Sequence, residues 1–152
     1  MTTTIGITAA SDGINGASWN VVGQTYTPKL LSDNAFTWHA DVPADTFVPP
    51  HIHPTQDEWI YLLEGNLDVE FGHDKGAPSI HQAGPGDTVR MPMGVAHGIF
   101  NRSGKSAKCI FGVAPSRKLY DLFVALDGVT DPAELVRLSA LHEVDFLPPP
   151  EA

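Results

Sequence analysis

The chain has 152 residues, 42% of them hydrophobic, which suits one domain with a sizeable core. A formal net charge of −9 leaves no basic surface for phosphates and argues against nucleic acid or anionic membrane as a partner. No apolar run approaches the roughly 20 residues of a membrane helix, and the single cysteine, Cys109, has no partner for an intramolecular disulfide.

Residues 1–17 are small, polar and glycine-dotted, and are expected to form an arm or an irregular first strand. Their opening, "MTTTIGITAASDG", lacks the basic and apolar segments of a secretory signal, so a cytoplasmic location is expected. Residues 18–115 break into short strands. "SWNVVGQTYTPKLL" reads as strand, bend, strand. "AFTWHADV" alternates, with Phe36 and Trp38 on one face and Thr37 and His39 on the other. "EWIYLLEG" ends in a turn, "NLDVEFG" alternates again, and "QAGPGD" turns once more. "TVRMPMG", "AHGIFNRSG" and "AKCIFGVAP" complete the series, with Cys109 read as a small buried hydrophobe. So many short strands predict an all-β fold, a small antiparallel barrel or sandwich.

Residues 116–152 change character. Leu119, Leu122, Phe123 and Leu126 follow helical spacing, with Gly128 as the stop. A second helix is expected in "TDPAELVRLSALHEV", with Asp131 as N-cap, Pro132 in the first turn and Glu134 as capping acid. Leu135, Leu138 and Leu141 or His142 would be its apolar stripe. Both helices are too short to stand alone and must pack on the β body. The first either lies over the barrel rim, where Tyr120 or Phe123 would screen the interior, or plugs an outer groove. The tail "FLPPPEA" reads as extended, and no linker divides residues 1–152 into two domains.

The chemistry concentrates in "PPHIHPTQDEWIYLLEG". Alternate residues of a strand share a face, so His51 and His53 project together. Glu58 opens the next strand and faces inward with Ile60 and Leu62, while Trp59 and Tyr61 face out. Two imidazoles and a carboxylate suit a divalent transition metal, and metal binding would explain their tolerance of apolar surroundings. Asp57 has the wrong parity to join them. Glu64 precedes a turn glycine and is read as solvated. His39, His73, His81 and His142 are read as ordinary strand or surface residues.

Downstream, "GPGDTVRMPMGVAHGIFN" brings His97 to the start of a strand. Here the chain resembles the cupin superfamily. His51-x-His53, four residues, Glu58, six residues and Gly65 match its first motif, except that the glycine expected six residues before His51 is Asp45. Gly86, five residues, Pro92, one residue, Gly94, two residues, His97, three residues and Asn101 match the second motif throughout. The resemblance implies a jelly-roll-like barrel in which His51, His53, Glu58 and His97 bind one metal ion. Iron, nickel, manganese, cobalt, copper and zinc all suit that set. Asn101 would support a turn or a hydrogen bond behind the ligands.

The chain looks most like the bacterial quercetinase-type single-domain cupins. That resemblance implies a dioxygenase acting on a flavonol-like or other phenolic or enolic small molecule, with Glu58 also the base. Phe36, Trp38, Ile60, Leu62, Met91, Ile99 and Phe111 are the candidate pocket. Two alternatives stand beside it: a non-redox isomerase, lyase or hydrolase for a small oxo-acid, and a non-enzymatic small-molecule binder. Single-domain cupins commonly cover their edges by pairing, so a homodimer with residues 1–30 in the contact is expected, giving a light-scattering mass of two chains.

Overall fold

The computed structural model describes residues 5–149; residues 1–4 of the expected arm and 150–152 of the expected tail lie outside the described residues. Ten strands precede the helices: β1 (Trp19–Val21), β2 (Gln24–Leu31), β3 (Phe36–Val42), β4 (Phe47–Ile52), β5 (Asp57–Glu64), β6 (Leu67–Phe71), β7 (Ser79–Ala83), β8 (Thr88–Met91), β9 (His97–Phe100) and β10 (Ala107–Ala114). Then come α1 (Leu119–Leu126), α2 (Pro132–Leu141) and a short β11 (Asp145–Phe146). The strands form two sheets, β1-β2-β3-β10-β5-β8 and β11-β4-β9-β6-β7, and every pairing is antiparallel. This is the expected all-β jelly roll with two C-terminal helices. Among the described residues no helix is long and apolar enough to cross a membrane.

The core follows strand parity. Phe36, Trp38, Ala40 and Val42 of β3 are buried, as are Glu58, Ile60 and Leu62 of β5. Trp38 stacks between Phe36, at 4.8 Å between ring centroids, and Phe111, at 5.0 Å. Such ring pairs add about 0.5–1.5 kcal/mol each beyond their buried area. Cys109 is fully buried, and burial pushes its thiol up to about 12, which makes it a packing residue at neutral pH.

Parity breaks at one useful place. Val48 stands opposite Ile99, but His51 stands opposite His97, so β4 spends three steps where β9 spends two. The extra residue falls at Pro49–Pro50, where neither nitrogen can donate to a ladder. This bulge turns Val48 and His51, an odd number of residues apart, toward the same interior. Asp45, the departure from the motif, has φ of 65°, the left-handed backbone a glycine would take. Asp tolerates it, and the turn is kept by hydrogen bonds between residues 45–46 and Asn101. Gly65 is more constrained: with φ of 76°, a Cβ there would stand 2.8 Å from the Ser106 carbonyl oxygen.

Helix α1 buries Leu119, Leu122, Phe123 and Leu126 as its spacing predicts. Tyr120 packs edge-on against Trp19 at 5.0 Å. Helix α2 departs from expectation on two points. The Asp131 side chain does cap the helix, accepting from the Ala133 N–H at 3.2 Å. Glu134, however, pairs with Arg137 one turn on and does not return to the cap. Leu135 and Leu138 are only partly buried, Leu141 is exposed, and the fully buried side chain is Ser139. The residues after α2 are more than an extended tail, because β11 adds to the edge of β4, with Phe146 opposite His51.

Phe123 touches Trp19, Tyr26, Phe36 and Trp38 and is almost wholly buried. Phe123→Ala is therefore expected to lower unfolding free energy by about 3–5 kcal/mol, measured by denaturant titration. A loss under about 1 kcal/mol would mean that α1 does not close the barrel as described.

Candidate metal centre

Both sheets contribute to the centre. His51 on β4 and His97 on β9 form a cross-strand pair with rings 4.4 Å apart. His53 follows just past the end of β4, and its ring lies 5.1 Å from that of His51. Glu58 comes from the other sheet, where it sits between Val113 of β10 and Met91 of β8. One ligand atom from each of the four lies within 4.8 Å of the others, and all four side chains are buried. Glu58 Oε1 is 3.0 Å from His97 Nε2, and its Oε2 is 3.6 Å from His53 Nε2.

The Nδ1 atoms are occupied from behind. That of His51 donates to the Pro49 carbonyl at 2.7 Å, and that of His53 to Gln56 Oε1 at 2.9 Å. His97 Nδ1 makes a longer contact of 3.3 Å with the Val95 carbonyl. For His51 and His53, a proton held on Nδ1 leaves the Nε2 lone pair for a cation, the arrangement that ligating imidazoles require. Burial lowers the His51 pKa well below its ordinary value, and the neighbouring His97 and His53 lower it further, so this imidazole is neutral. For Glu58, burial raises the pKa, but His53 nearby and the hydrogen bond from His97 outweigh it and hold the carboxyl below its usual range. One carboxylate and three imidazoles are a fitting donor set for a divalent ion. A cation entering the cluster would take the place of the direct Glu58–His97 contact.

Gln56 is the residue that sequence reasoning missed. It is buried, accepts from His53, and donates through Nε2 to the carbonyls of Pro115 at 3.0 Å and Ser116 at 2.8 Å. It thus ties a ligand histidine to the segment that leads into α1. A polar side chain inside the spacer between His53 and Glu58 was the available signal. Asn101 holds a turn: its Nδ2 donates to the carbonyls of Val42 and Lys105, and its Oδ1 accepts from Ser103. Asp57 stays outside the cluster, accepting from the Met93 N–H at 3.0 Å. His39, His73, His81 and His142 do not join it either.

A cavity of about 40 Å3 adjoins His51, His53 and Glu58. Of the candidate pocket residues, Trp38, Ile99 and Phe111 line it. Phe36, Ile60, Leu62 and Met91 are buried in the core but do not line it. Phe36 lies behind Trp38, Ile60 and Leu62 continue β5 beyond Glu58, and Met91 flanks Glu58 on β8. Their place is taken by Leu119, Leu122, Phe123 and Leu126 of α1, with Ser139 of α2 and Phe146 of β11. The first helix therefore closes the interior and does not fill an outer groove.

Residues 38–113 match the cupin domain family, half of the chain. The chain belongs to the cupin family. It is similar to the germin-like protein subfamily 3 member 1 of Arabidopsis thaliana, 26% identical over 134 residues covering 82% of this chain. The chain spans 64% of that relative's length. A germin-like protein of Morus alba is 29% identical, with 85% of this chain and 71% of the relative covered. Among solved structures, KdgF from Halomonas sp. superposes with a TM-score of 0.60 at 20% identity, covering 74% of this chain and 99% of that one. The protein TT1209 from Thermus thermophilus gives 0.54 at 24% identity, covering 60% of this chain and 83% of that one. At these identities the structures share the fold. The named relatives are germin-like and do not carry the expected quercetinase-type subdivision.

His51→Ala and His97→Ala each remove a donor, and elemental analysis of tag-free protein should show sharply lower metal content in both. Gln56→Leu should leave all four ligands but weaken metal affinity by about 10- to 100-fold. Unchanged metal content in both histidine variants would exclude this cluster as the binding site.

Proposed function

We propose that this cupin is a metal-dependent dioxygenase for a small enolic or phenolic substrate. The observation that carries the reading is a buried donor set opening on an apolar cavity covered by helices. A structural zinc site is typically closed, with four protein ligands and often cysteine. Here His51, His53 and Glu58 of the donor set line a cavity in which Tyr26 is the one further titratable side chain among the described residues. Burial raises the Tyr26 pKa well above its ordinary value, so its hydroxyl stays protonated and donates to Gln24 Oε1 at 2.9 Å.

A divalent ion bound by His51, His53, Glu58 and His97 would supply Lewis acidity toward a substrate oxygen and, for a redox-active metal, electrons for reaction with dioxygen. The residues supply the rest. Glu58, ionised and on the cavity wall, is placed to take the proton of an enol or phenol hydroxyl. Trp38, Phe111, Ile99 and the α1 leucines provide an apolar wall and exclude water from the developing carbanion. Gln56 and the Pro49 carbonyl hold the imidazole rings in orientation.

Size limits the substrate. A cavity of about 40 Å3 has room for roughly three waters. A three-ring flavonol does not fit beneath α1 and α2 as they stand, so the closed form favours a much smaller enolic compound.

Oxygen-electrode assays on metal-reconstituted protein should show substrate-dependent oxygen uptake with a small enol or phenol, and Glu58→Gln should abolish it while some metal is retained. Turnover without oxygen uptake would replace the dioxygenase with the non-redox alternative. Full activity in Glu58→Gln would exclude Glu58 as the base.

A further inference from the structure

Two polar atoms in the wall of the metal cavity are out of place. Trp38 Nε1 and Ser139 Oγ are both buried without a hydrogen-bond partner among the described residues, and both side chains line the cavity. Trp38 is 1% exposed and Ser139 fully buried. Buried polar groups are nearly always paired, so each orphan needs a reason.

Their surroundings sharpen the point. The aromatic rings packed on Trp38 are those of Tyr26, Phe36, Phe111 and Phe123, and the hydroxyl of Tyr26 is engaged with Gln24. A serine inside a helix commonly folds its hydroxyl back on the carbonyl four residues earlier. Ser139, in the last turn of α2 with Leu135 one turn before it, does not do so. It is also the one α2 side chain that the fold buries completely, while Leu141 is left exposed. A helix optimised only for packing would place a leucine or alanine there. The two orphans reach the cavity from different elements: Trp38 stands on β3, and Ser139 on α2 across the closed end.

The charge of the centre adds a second constraint. A divalent ion held by one carboxylate and neutral imidazoles leaves a net charge of about +1. No Lys or Arg is among the residues lining the cavity. A monoanion is therefore the complementary ligand.

We propose that Trp38 Nε1–H and Ser139 Oγ–H are a second anchoring point of the site, donating to a small monoanion that carries two oxygens, a carboxylate or an enolate with a carbonyl. One oxygen faces the His51, His53, Glu58 and His97 cluster, and the other accepts from Trp38 and Ser139. The apolar remainder of the ligand is limited to a few carbon atoms by the cavity. The proposal rests on the metal-site reading and narrows its substrate class.

The test uses cobalt(II) as a spectroscopic probe and acetate as the ligand. Cobalt-loaded wild-type protein is titrated with acetate and its visible absorption followed, then compared with Ser139→Ala and Trp38→Phe. Acetate should produce a saturable spectral change, and each variant should bind it about tenfold more weakly, the usual effect of losing a hydrogen bond to a charged acceptor. Ser139→Ala, which is nearly isosteric, should also raise the thermal midpoint of the acetate-free protein by a few degrees, because it deletes an unpaired buried hydroxyl. A purely structural serine would give the opposite thermal shift. Equal acetate affinity in all three proteins, no acetate response in the wild type, or a lowered midpoint in Ser139→Ala overturns the proposal. Failure of the wild type to take up cobalt is seen before acetate is added, and would overturn the metal-site reading together with it.

Discussion

The structure depends on the burial of one carboxylate among three imidazoles between two sheets. Glu58 and His97 come from different sheets and are each no more than 3% exposed, yet they lie 3.0 Å apart. An unpaired carboxylate in that position would be strongly destabilising. The contact therefore acts as a fastener as well as a donor pair, and much of the barrel is arranged to permit it. The Pro49–Pro50 bulge re-aims β4 so that His51 meets His97, and the Pro49 carbonyl then fixes the His51 ring. Gln56 fixes His53 in turn. Metal binding in such a centre is coupled to ring orientation and to folding, because the four donors converge only in the folded barrel.

The same centre explains the C-terminal extension. A jelly roll with an interior donor set needs one end closed if the site is to stay dry. Helix α1 does this with four apolar side chains, and β11 adds Phe146 beside His51, with ring centroids 5.2 Å apart. Gln56 links the cover to the ligands through the carbonyls of Pro115 and Ser116. The Arg117–Glu143 ion pair joins the segment before α1 to the end of α2, although Arg117 is exposed, Glu143 is only partly buried and the pair contributes little stability by itself. Cover and centre are thus physically connected.

Much of this was legible in the sequence because it rests on short-range rules. Period-two alternation placed Phe36 and Trp38 inward, and Glu58, Ile60 and Leu62 on one face. Helical spacing identified the buried face of α1, and Asp131 and Pro132 marked the start of α2. Other features depend on tertiary contacts that local pattern does not carry. The β4 bulge shifts parity, so alternation counted from Val48 would have turned His51 outward. The pairing of β11 with β4 is long-range, and "FLPPPEA" gives no strand signal. Glu134 fits the spacing of a capping acid but finds a better partner in Arg137. Which side of α2 faces in is set by its seat on the barrel end, so Ser139 takes the place expected for leucine. Phe36, Ile60, Leu62 and Met91 fall outside the cavity wall for a related reason: inward-facing on a strand means buried, and only part of a buried face borders the cavity.

X-ray absorption spectroscopy of the metal-loaded protein tests the central claim most directly, since it reads the ion's neighbours without reference to any substrate. The account predicts a shell containing three imidazole nitrogens and a carboxylate oxygen, at about 2.0–2.2 Å for a zinc-like ion, with the imidazole signal reduced by one ring in His97→Ala. A shell of oxygen donors without imidazole scattering, or one unchanged in His97→Ala, would contradict it.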